Sequence, residues 1–584
     1  MDMVNVVING IAVQVPKGST ILEAARVAGV DVPTLCYLKK INEIAACRIC
    51  VVEAAEMRGA SLGPARVVTA CVYPVSEGMQ VRTNTEKIRH ARKNTLELIL
   101  STHDRSCLSC KKTGDCELQR LCIEYGVDQA DRFDGDKPVY EKDENEWLVR
   151  DNNKCILCRR CVASCAAQSV SVIGANQRGF DTNIGCAFEK KLSETACMAC
   201  GQCVVACPTG ALMEHDNTKE VFAALGDAEK TVIVHTAPAV RATLGEAFGL
   251  PVGTNVEGKM AAALRRLGFD RVFDTNFAAD LTIWEEATEL LERIKNKGTL
   301  PMITSCSPGW VKFCEHQYPD LIDHLSSCKS PQQMASAIIK TYYAQKAGID
   351  PENLVVVSVM PCIAKKFEIR RENQDASGAY DTDYSITTRE LARMIKTAGI
   401  NFSLLPDEAF DNPLSAYTGG AVIFGATGGV MEAAVRYAYE ALEGKPLEDV
   451  DLVACRGTDL IKEATVHMGG MDVKVAITSG GAGARIVMDK IASGEADWTF
   501  VEIMGCPGGC VNGGGQPFQP ASVRANVDLK SLRAKALYTI DAHAKQRSSQ
   551  QSEVCRTLYQ EFLGAPGSEK AHHLLHTTYV KRGV

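Results

Sequence analysis

The chain has 584 residues, 46% hydrophobic and 23% charged, a globular composition with length for three to five domains. Its formal net charge of −7 leaves no basic footprint for nucleic acid, and no apolar run reaches the ~18 residues of a helical membrane span. Twenty-five cysteines are too many for an ordinary enzyme of a reducing compartment unless most hold metal, and their short C-x2-C spacings point to metal rather than disulfides. The N-terminal "MDMVNVVINGIAVQV" alternates apolar and polar residues like a strand. It lacks the basic and continuous apolar regions of a signal peptide, so a cytoplasmic location is expected.

A helical stretch, "STILEAARVAG", follows, and then Cys36-x10-Cys47-x2-Cys50-x20-Cys71. Strand start, helix and C-x2-C loop together resemble a plant-type 2Fe–2S ferredoxin, although the first spacing is longer than the plant pattern. Next comes His103-x3-Cys107-x2-Cys110-x5-Cys116, with Cys122 spare; on spacing alone this set accepts either zinc or a 4Fe–4S cluster. Cys155-x2-Cys158-x2-Cys161-x3-Cys165 then recurs as Cys197-x2-Cys200-x2-Cys203-x3-Cys207, followed by Pro208. This is the bacterial two-cluster ferredoxin spacing, in which the fourth cysteine of each run serves the other cube. The expected groups are therefore Cys155, Cys158, Cys161 with Cys207, and Cys197, Cys200, Cys203 with Cys165. Cys186 fits neither and is read as a free thiol. The first 210 residues thus read as a wire of one-electron carriers.

From about residue 225 short apolar runs alternate with helical patterns, as in α/β proteins. The runs "TVIVHTAP", "LVVVSVMPC", "GAVIFGATGG" and "WTFVEIMGCPGGC" end in small, Gly- or Cys-bearing turns, and "TSCSPGW" falls at a similar place. Ligands of open α/β sheets bind beyond the carboxyl ends of strands, so Cys362, Cys506 and Cys510 read as ligands of one further metal site. Cys314, Cys328, Cys455 and Cys555 read as small buried hydrophobes. In "EEATELLER" (285–293) Glu286, Glu289 and Arg293 share one helical face, which on its own reads as a solvated face with a salt bridge.

"TSCSPGW" (304–310), "MPCIAKKFE" (360–368) and "EIMGCPGGCVNGGG" (502–515) resemble the three signature motifs of FeFe hydrogenases. The resemblance covers nearly the whole chain and is closest to the hydrogen-cycling subunits of multisubunit NAD(P)-linked enzymes and their monomeric relatives. It implies an α/β catalytic domain, with two parallel or mixed sheets flanked by helices and an H-cluster between its lobes. Ahead of that domain it implies α+β ferredoxin-like iron–sulfur domains. The expected division is a 2Fe–2S domain at 1–82, a His/Cys3 4Fe–4S domain at 83–125 and a two-cluster 4Fe–4S domain at 145–215. The H-cluster domain follows at 225–530 and a helical tail resembling the family's small subunit at 531–584. The implied cofactors are one 2Fe–2S cluster, three 4Fe–4S clusters and the H-cluster, a 4Fe–4S cube joined to a diiron unit carrying CO, cyanide and azadithiolate.

Carried over, Cys362, Cys506 and Cys510 ligate the cube, with Cys510 bridging to the diiron unit. Cys306 takes the proton-relay position. The fourth ligand of the family is a second adjacent cysteine, and here Ser307 stands in its place at the family's spacing from Cys362. Three outcomes are open: Ser307 ligates through oxygen, a harder donor than thiolate; Cys306 swings in; or the cluster is weakened. By the same resemblance Glu286, Glu289, Ser326 and Arg293 carry protons between Cys306 and solvent. Ala237, Pro238, Pro331, Gln332, Met360, Phe424 and Met504 wall the diiron pocket, and Lys365 holds a cyanide ligand. The implied reactants are H2 and protons. No G-x-G-x-x-G follows a strand, so nicotinamide would have to be served by partner subunits carrying flavin, NAD(P) and 2Fe–2S centres, with ferredoxin as another electron partner. The competing readings are a hydrogen sensor or impaired homologue, an iron–sulfur assembly protein, and a respiratory-type electron-transfer subunit.

Overall fold

The computed structural model describes residues 2–136, 138–447 and 449–583. At the N-terminus the alternating pattern closes into a hairpin. Met3–Ile8 pairs antiparallel with Ile11–Pro16 across Asn9-Gly10, whose φ angles of 50° and 88° suit a tight two-residue turn. Met79–Arg82, Val51–Ala55 and Arg66–Thr69 complete a five-stranded sheet. The helix Ile21–Val27 packs on it because Thr20 and Glu23 form a capping box and Ile21, Leu22, Ala24 and Ala25 join Val6 and Ile8 in one core.

The two ferredoxin runs fold alike. Leu157 and Arg159 in the first, and Ala199 and Gly201 in the second, all take positive φ between their cysteines. That winds each loop so that a backbone amide, from Leu157 or Ala199, points 3.4 Å from the first sulfur of its run. The modules are stitched by buried polar contacts. Asn42 donates to the carbonyls of Cys36 (2.7 Å) and Cys158 (3.0 Å), and buried Arg160 forks onto Glu117 at 2.8 and 3.1 Å.

The rest of the chain is built on two four-stranded sheets. The first runs Arg271–Asp274, Thr231–Thr236, Leu354–Met360, Tyr384–Thr387, all parallel. Covered on both faces, its central strands are mostly apolar: Val232 and Val234 face one core, Ile233 the other. The second runs Met302–Ile303, Phe500–Met504, Met471–Ser479 in parallel, with Ile461–Met468 antiparallel at the edge. This is the expected α/β architecture with helices on the sheets. Among the described residues no helix is long and apolar enough to cross a membrane.

One apolar run departs from the expected strand pattern. In "GAVIFGATGG", residues Gly419–Val422 are α-helical and Ile423–Gly425 form a 3₁₀ turn. Short apolar runs do not distinguish a buried strand from a buried helix. Here the glycines decide, because a Cβ on Gly429 would overlap the Ile423 carbonyl, so the chain folds back tightly on itself.

Ile233 is fully buried and Ile11 is 49% exposed. Ile233→Ala should cost about 2–5 kcal/mol and Ile11→Ala at most about 0.5 kcal/mol. Denaturant midpoints of the two variants beside the parent chain check this contrast.

Candidate functional site

The wire cysteines gather into four groups. The Cys36 and Cys47 thiols are within hydrogen-bond reach of each other, as are Cys50 and Cys71, whose sulfurs lie 3.3 Å apart. Cys155, Cys158, Cys161 and Cys207 line one small cavity. Cys197, Cys200, Cys203 and Cys165 stand close enough that burial first, and their mutual repulsion next, pushes the Cys203 thiol up. In the remaining group Cys107, Cys110 and Cys116 are joined by Cys122, whose thiol is pushed up to about 11 by burial and then by Cys116 and Cys107. His103 follows the helix Glu86–Leu100, its amide donating to the Leu100 carbonyl at 3.2 Å. Cys186 accepts from Arg150 at 3.7 Å. Cys314, Cys328, Cys455 and Cys555 are all buried.

Cys306, Cys362, Cys506 and Cys510 meet at a cavity of about 70 Å³ between the two sheets. Four strands point their carboxyl ends at it. Ala237 and Pro238 follow Thr231–Thr236, Cys306 and Ser307 lie just past Met302–Ile303, Cys362 follows Leu354–Met360, and Cys506 and Cys510 follow Phe500–Met504. Every pocket residue anticipated above lines it: Ala237, Pro238, Pro331, Gln332, Met360, Lys365, Phe424 and Met504. So do Thr275 and Gly505, which sequence reasoning missed. The signal for Thr275 was its place directly after the strand Arg271–Asp274.

Close backbone approach shapes the floor. A Cβ on Gly513 would overlap the Pro361 carbonyl, and one on Gly514 the Cys200 carbonyl. The Cys200 carbonyl itself lies 3.9 Å from the Cys506 sulfur, so the second ferredoxin run abuts the catalytic cysteines. Lys365 enters from the wall, its Nζ donating to Glu368 at 2.9 Å and to the Cys306 carbonyl at 3.2 Å. Glu368, the last residue of "MPCIAKKFE", was overlooked. It also accepts from Gln332 and Ser330, each at 2.8 Å, and so fixes three side chains at once.

Cys306 and Ser307 face different neighbours. The Ser307 hydroxyl accepts the Gly505 amide at 2.9 Å, beside Cys506. The Cys306 thiol is pushed up by burial and next by the charge of Glu286. The cavity therefore presents the thiols of Cys306, Cys362, Cys506 and Cys510 and one hydroxyl, with an ammonium at the wall. Such a set fits a 4Fe–4S cube with one oxygen ligand, next to an anionic group held by Lys365.

Outward from Cys306 runs a row of acidic groups on the long helix Asn276–Asn296. Glu286 is fully buried, and neither carboxylate oxygen has a hydrogen-bond partner. Burial, then the charge of Glu289, pushes it up to about 8. Ser326 donates to Glu289 at 2.9 Å. Arg293 donates to Glu289 at 2.6 and 3.1 Å, and onward to the Leu325 carbonyl at 2.7 Å. The plain reading of "EEATELLER" as a solvated face is thus overturned, because the 302–303 strand and the loop 325–328 cover it.

Residues 230–514 match the family described as iron only hydrogenase large subunit, C-terminal domain, and residues 527–582 match iron hydrogenase small subunit. Further matches are a 2Fe–2S cluster binding domain (1–86), the iron–sulfur binding region of NADH-ubiquinone oxidoreductase G (92–131) and a 4Fe–4S dicluster domain (154–217). The chain is 48% identical to the NADP-reducing hydrogenase subunit HndD of Solidesulfovibrio fructosivorans over the full length of both. It is 42% identical to iron hydrogenase 1 of Clostridium pasteurianum, over 99% of this chain and all of that one. Among solved structures it resembles an apo [FeFe]-hydrogenase of Chlamydomonas reinhardtii, 40% identical, with a TM-score of 0.56 over 63% of this chain and all of that one.

The raised carboxyl of Glu286 carries a stability signature. The folded chain holds a proton there that the unfolded chain releases near 4.5, so stability from this group is full below that pH and is lost as pH rises towards about 8. Glu286→Gln should therefore gain stability relative to the parent as pH rises through that window, with the difference constant above it. Unfolding midpoints across pH check this.

Proposed function

Because the chain belongs to the iron-only (FeFe) hydrogenase family, we propose that it interconverts H2 with two protons and two electrons at the cavity between its sheets. The observation that carries this reading is the convergence of Cys362, Cys506, Cys510, Ser307 and Lys365 on one cavity. That cavity touches the Cys200 loop on one side and Cys306, with Glu286 beyond it, on the other. Cys362, Cys506, Cys510 and Ser307 would hold the cube, and Lys365 would hold the diiron unit through a cyanide. When bound, the diiron unit supplies the open iron for H–H chemistry and an amine that exchanges protons with the protein.

The chain's own residues do the rest. Pro238, Phe424 and Met504 keep the cavity dry. The Cys306 thiol would be the group that carries a proton between that amine and Glu286. Glu286, shifted towards neutrality, passes it by way of Ser326 to Glu289. Between the two candidate ligands, the contacts favour Ser307 over Cys306: its oxygen sits on the Gly505 amide next to Cys506, whereas Cys306 faces the proton path.

Electrons would cross from the cube to the Cys197 group through the Cys200 contact and continue along the remaining clusters. We take these to be one 2Fe–2S and three 4Fe–4S centres. The five matched stretches support the division at 1–82, 83–125, 145–215, 225–530 and 531–584. Likeness to a hydrogenase subunit named NADP-reducing supports partner subunits that serve NADP; we take these to carry flavin and to dock at the N-terminal module, in the cytoplasm. A respiratory electron-transfer subunit would have no use for the catalytic cavity. The buried path from Cys306 to Glu289 counts against a sensor or an assembly protein.

Hydrogen evolution from reduced viologen, by the chain coexpressed with diiron-assembly machinery, tests this reading. The parent chain should turn over, and so should Ser307→Cys; activity in Ser307→Cys alone would show that the serine disables the site. Cys306→Ala should lose at least about 100-fold, and unchanged evolution would remove Cys306 from the path. Lys365→Asn should fail to retain the diiron unit, seen as loss of the CO and cyanide infrared bands.

A further inference from the structure

The proton path described above ends on Arg293, and a guanidinium does not give up its proton in a protein. Arg293 can hold Glu289 in place, but it cannot hand protons to it. Both Glu289 oxygens are already engaged: Arg293, the Ser326 hydroxyl and the Ser327 amide (3.0 and 3.2 Å) all donate to them. A path of this kind needs a group at its outer end that changes charge near neutral pH.

The chain brings an imidazole to that end from its C-terminal segment. Residues 575–577 are tied to the loop 327–329 by two backbone hydrogen bonds of 2.8 Å, Lys329 N to Leu575 O and Thr577 N to Ser327 O. This places His576 opposite Cys328 in an isolated bridge. Its side chain is 7% exposed. Nδ1 lies 2.8 Å from the Ser327 hydroxyl and Nε2 lies 3.1 Å from Glu285. One imidazole nitrogen, the Cys328 sulfur and a Glu289 oxygen all lie within 4.8 Å of one another, a separation of the size that a single water can span. On the outer side the imidazole lies 4.2 Å, ring to ring, from exposed His572.

We propose that His576 is the outer proton-exchange residue of this chain, passing protons between solvent, by way of His572, and Glu289. The inference rests on the Cys306-to-Glu289 path proposed above. In the step, His576 as imidazolium gives its proton to the Glu289 carboxylate; the carboxylic acid so formed gives a proton to the Ser326 oxygen as the Ser326 hydroxyl gives its own to the Glu286 carboxylate, and the neutral imidazole is reprotonated from solvent. Imidazole is the side chain suited to this, because its charge changes between about pH 5 and 8. The groups facing it are Glu285, Glu289 and Cys328 from the packed elements and His572 from its own helix. Behind them stand Tyr559, which donates to Glu285, Tyr579, which donates to the Ser326 carbonyl, and Arg293 on the far side of Glu289. Glu285 fixes the ring, and its other oxygen is taken by Tyr559, so it serves as a positioning residue.

The test compares His576→Gln and His576→Ala with the full parent chain loaded with the diiron unit. Infrared CO and cyanide bands first confirm equal loading. Hydrogen evolution should fall about tenfold in both variants at the alkaline end and little near pH 6, where protons reach Glu289 directly. Added imidazole should restore His576→Ala. In the chain before diiron loading, the infrared band of protonated buried carboxyls should shift its pH midpoint in His576→Gln. Equal loss at every pH with no imidazole rescue and no shift in that band would mean a merely structural role, and undiminished evolution would mean no role; either overturns the proposal. Glu286→Gln run alongside separates the causes. If it is inactive while His576→Gln is unimpaired, only this exit fails; if it too turns over, the whole path fails.

Discussion

At Gly513 and Gly514 the backbone presses so closely on Pro361 and Cys200 that no Cβ fits at either position. This contact brings together three segments that are far apart in sequence: the turn after Leu354–Met360, the turn after Phe500–Met504 and the second ferredoxin loop. Cys362, Cys506 and Cys510 converge only because those turns touch, and the Cys200 loop lies beside them only because Gly514 lets it in. The three cysteines and the second ferredoxin loop are therefore brought together by one backbone approach rather than by side-chain reach. The parallel strands behind it keep the approach rigid, since they are buried on both faces and their turns leave the sheets on the same side.

Around this floor the charges are arranged in a sealed setting. Lys365 would be expensive to bury alone, and Glu368 offsets that cost while also holding Gln332 and Ser330. His235, between Thr275 and Ser336, is pushed down to about 3 by burial and then by the charge of Lys365, so its imidazole stays neutral in the core. Glu286 is the opposite case, a carboxyl with no hydrogen-bond partner and no cation against it, and it moves up into the range where protons come and go. Two ionisable side chains behind the same cavity thus have different tasks, one fixed in charge and one poised to change.

Much of this was legible in the sequence where covalent spacing controls geometry. The two C-x2-C-x2-C-x3-C runs and the three cysteine motifs each encode their own local shape, whereas the N-terminal stretch read as one strand is two, turned at Asn9-Gly10. What could not be read was set by tertiary cover. "EEATELLER" has the pattern of a surface helix, and only the strand and loop laid across it turn Glu286 into a buried acid. "GAVIFGATGG" has the composition of a strand, and only its glycine contacts make it helical. Glu368 and Thr275 carried no spacing signal; their roles come from where the sheet ends place them. Cys122 was spare on spacing, yet the fold brings its thiol near Cys107 and Cys116.

The Ser307 position shows how such cover can accommodate a weaker ligand. A neutral hydroxyl binds iron less readily than a thiolate, because it is harder and gives up its proton less easily. Its oxygen already accepts the Gly505 amide, an N–H donor that would also stabilise it as an alkoxide. Trp310, fully buried three residues on, anchors the same turn by donating to the Thr304 carbonyl at 3.1 Å. The hydroxyl is thus held at the cavity without help from the metal, which lowers the ordering cost of ligation. Cys306, one residue earlier, has its carbonyl pinned by Lys365. The local hydrogen bonds thus tie the two adjacent residues to different partners, the Ser307 hydroxyl to the Gly505 amide and the Cys306 carbonyl to Lys365.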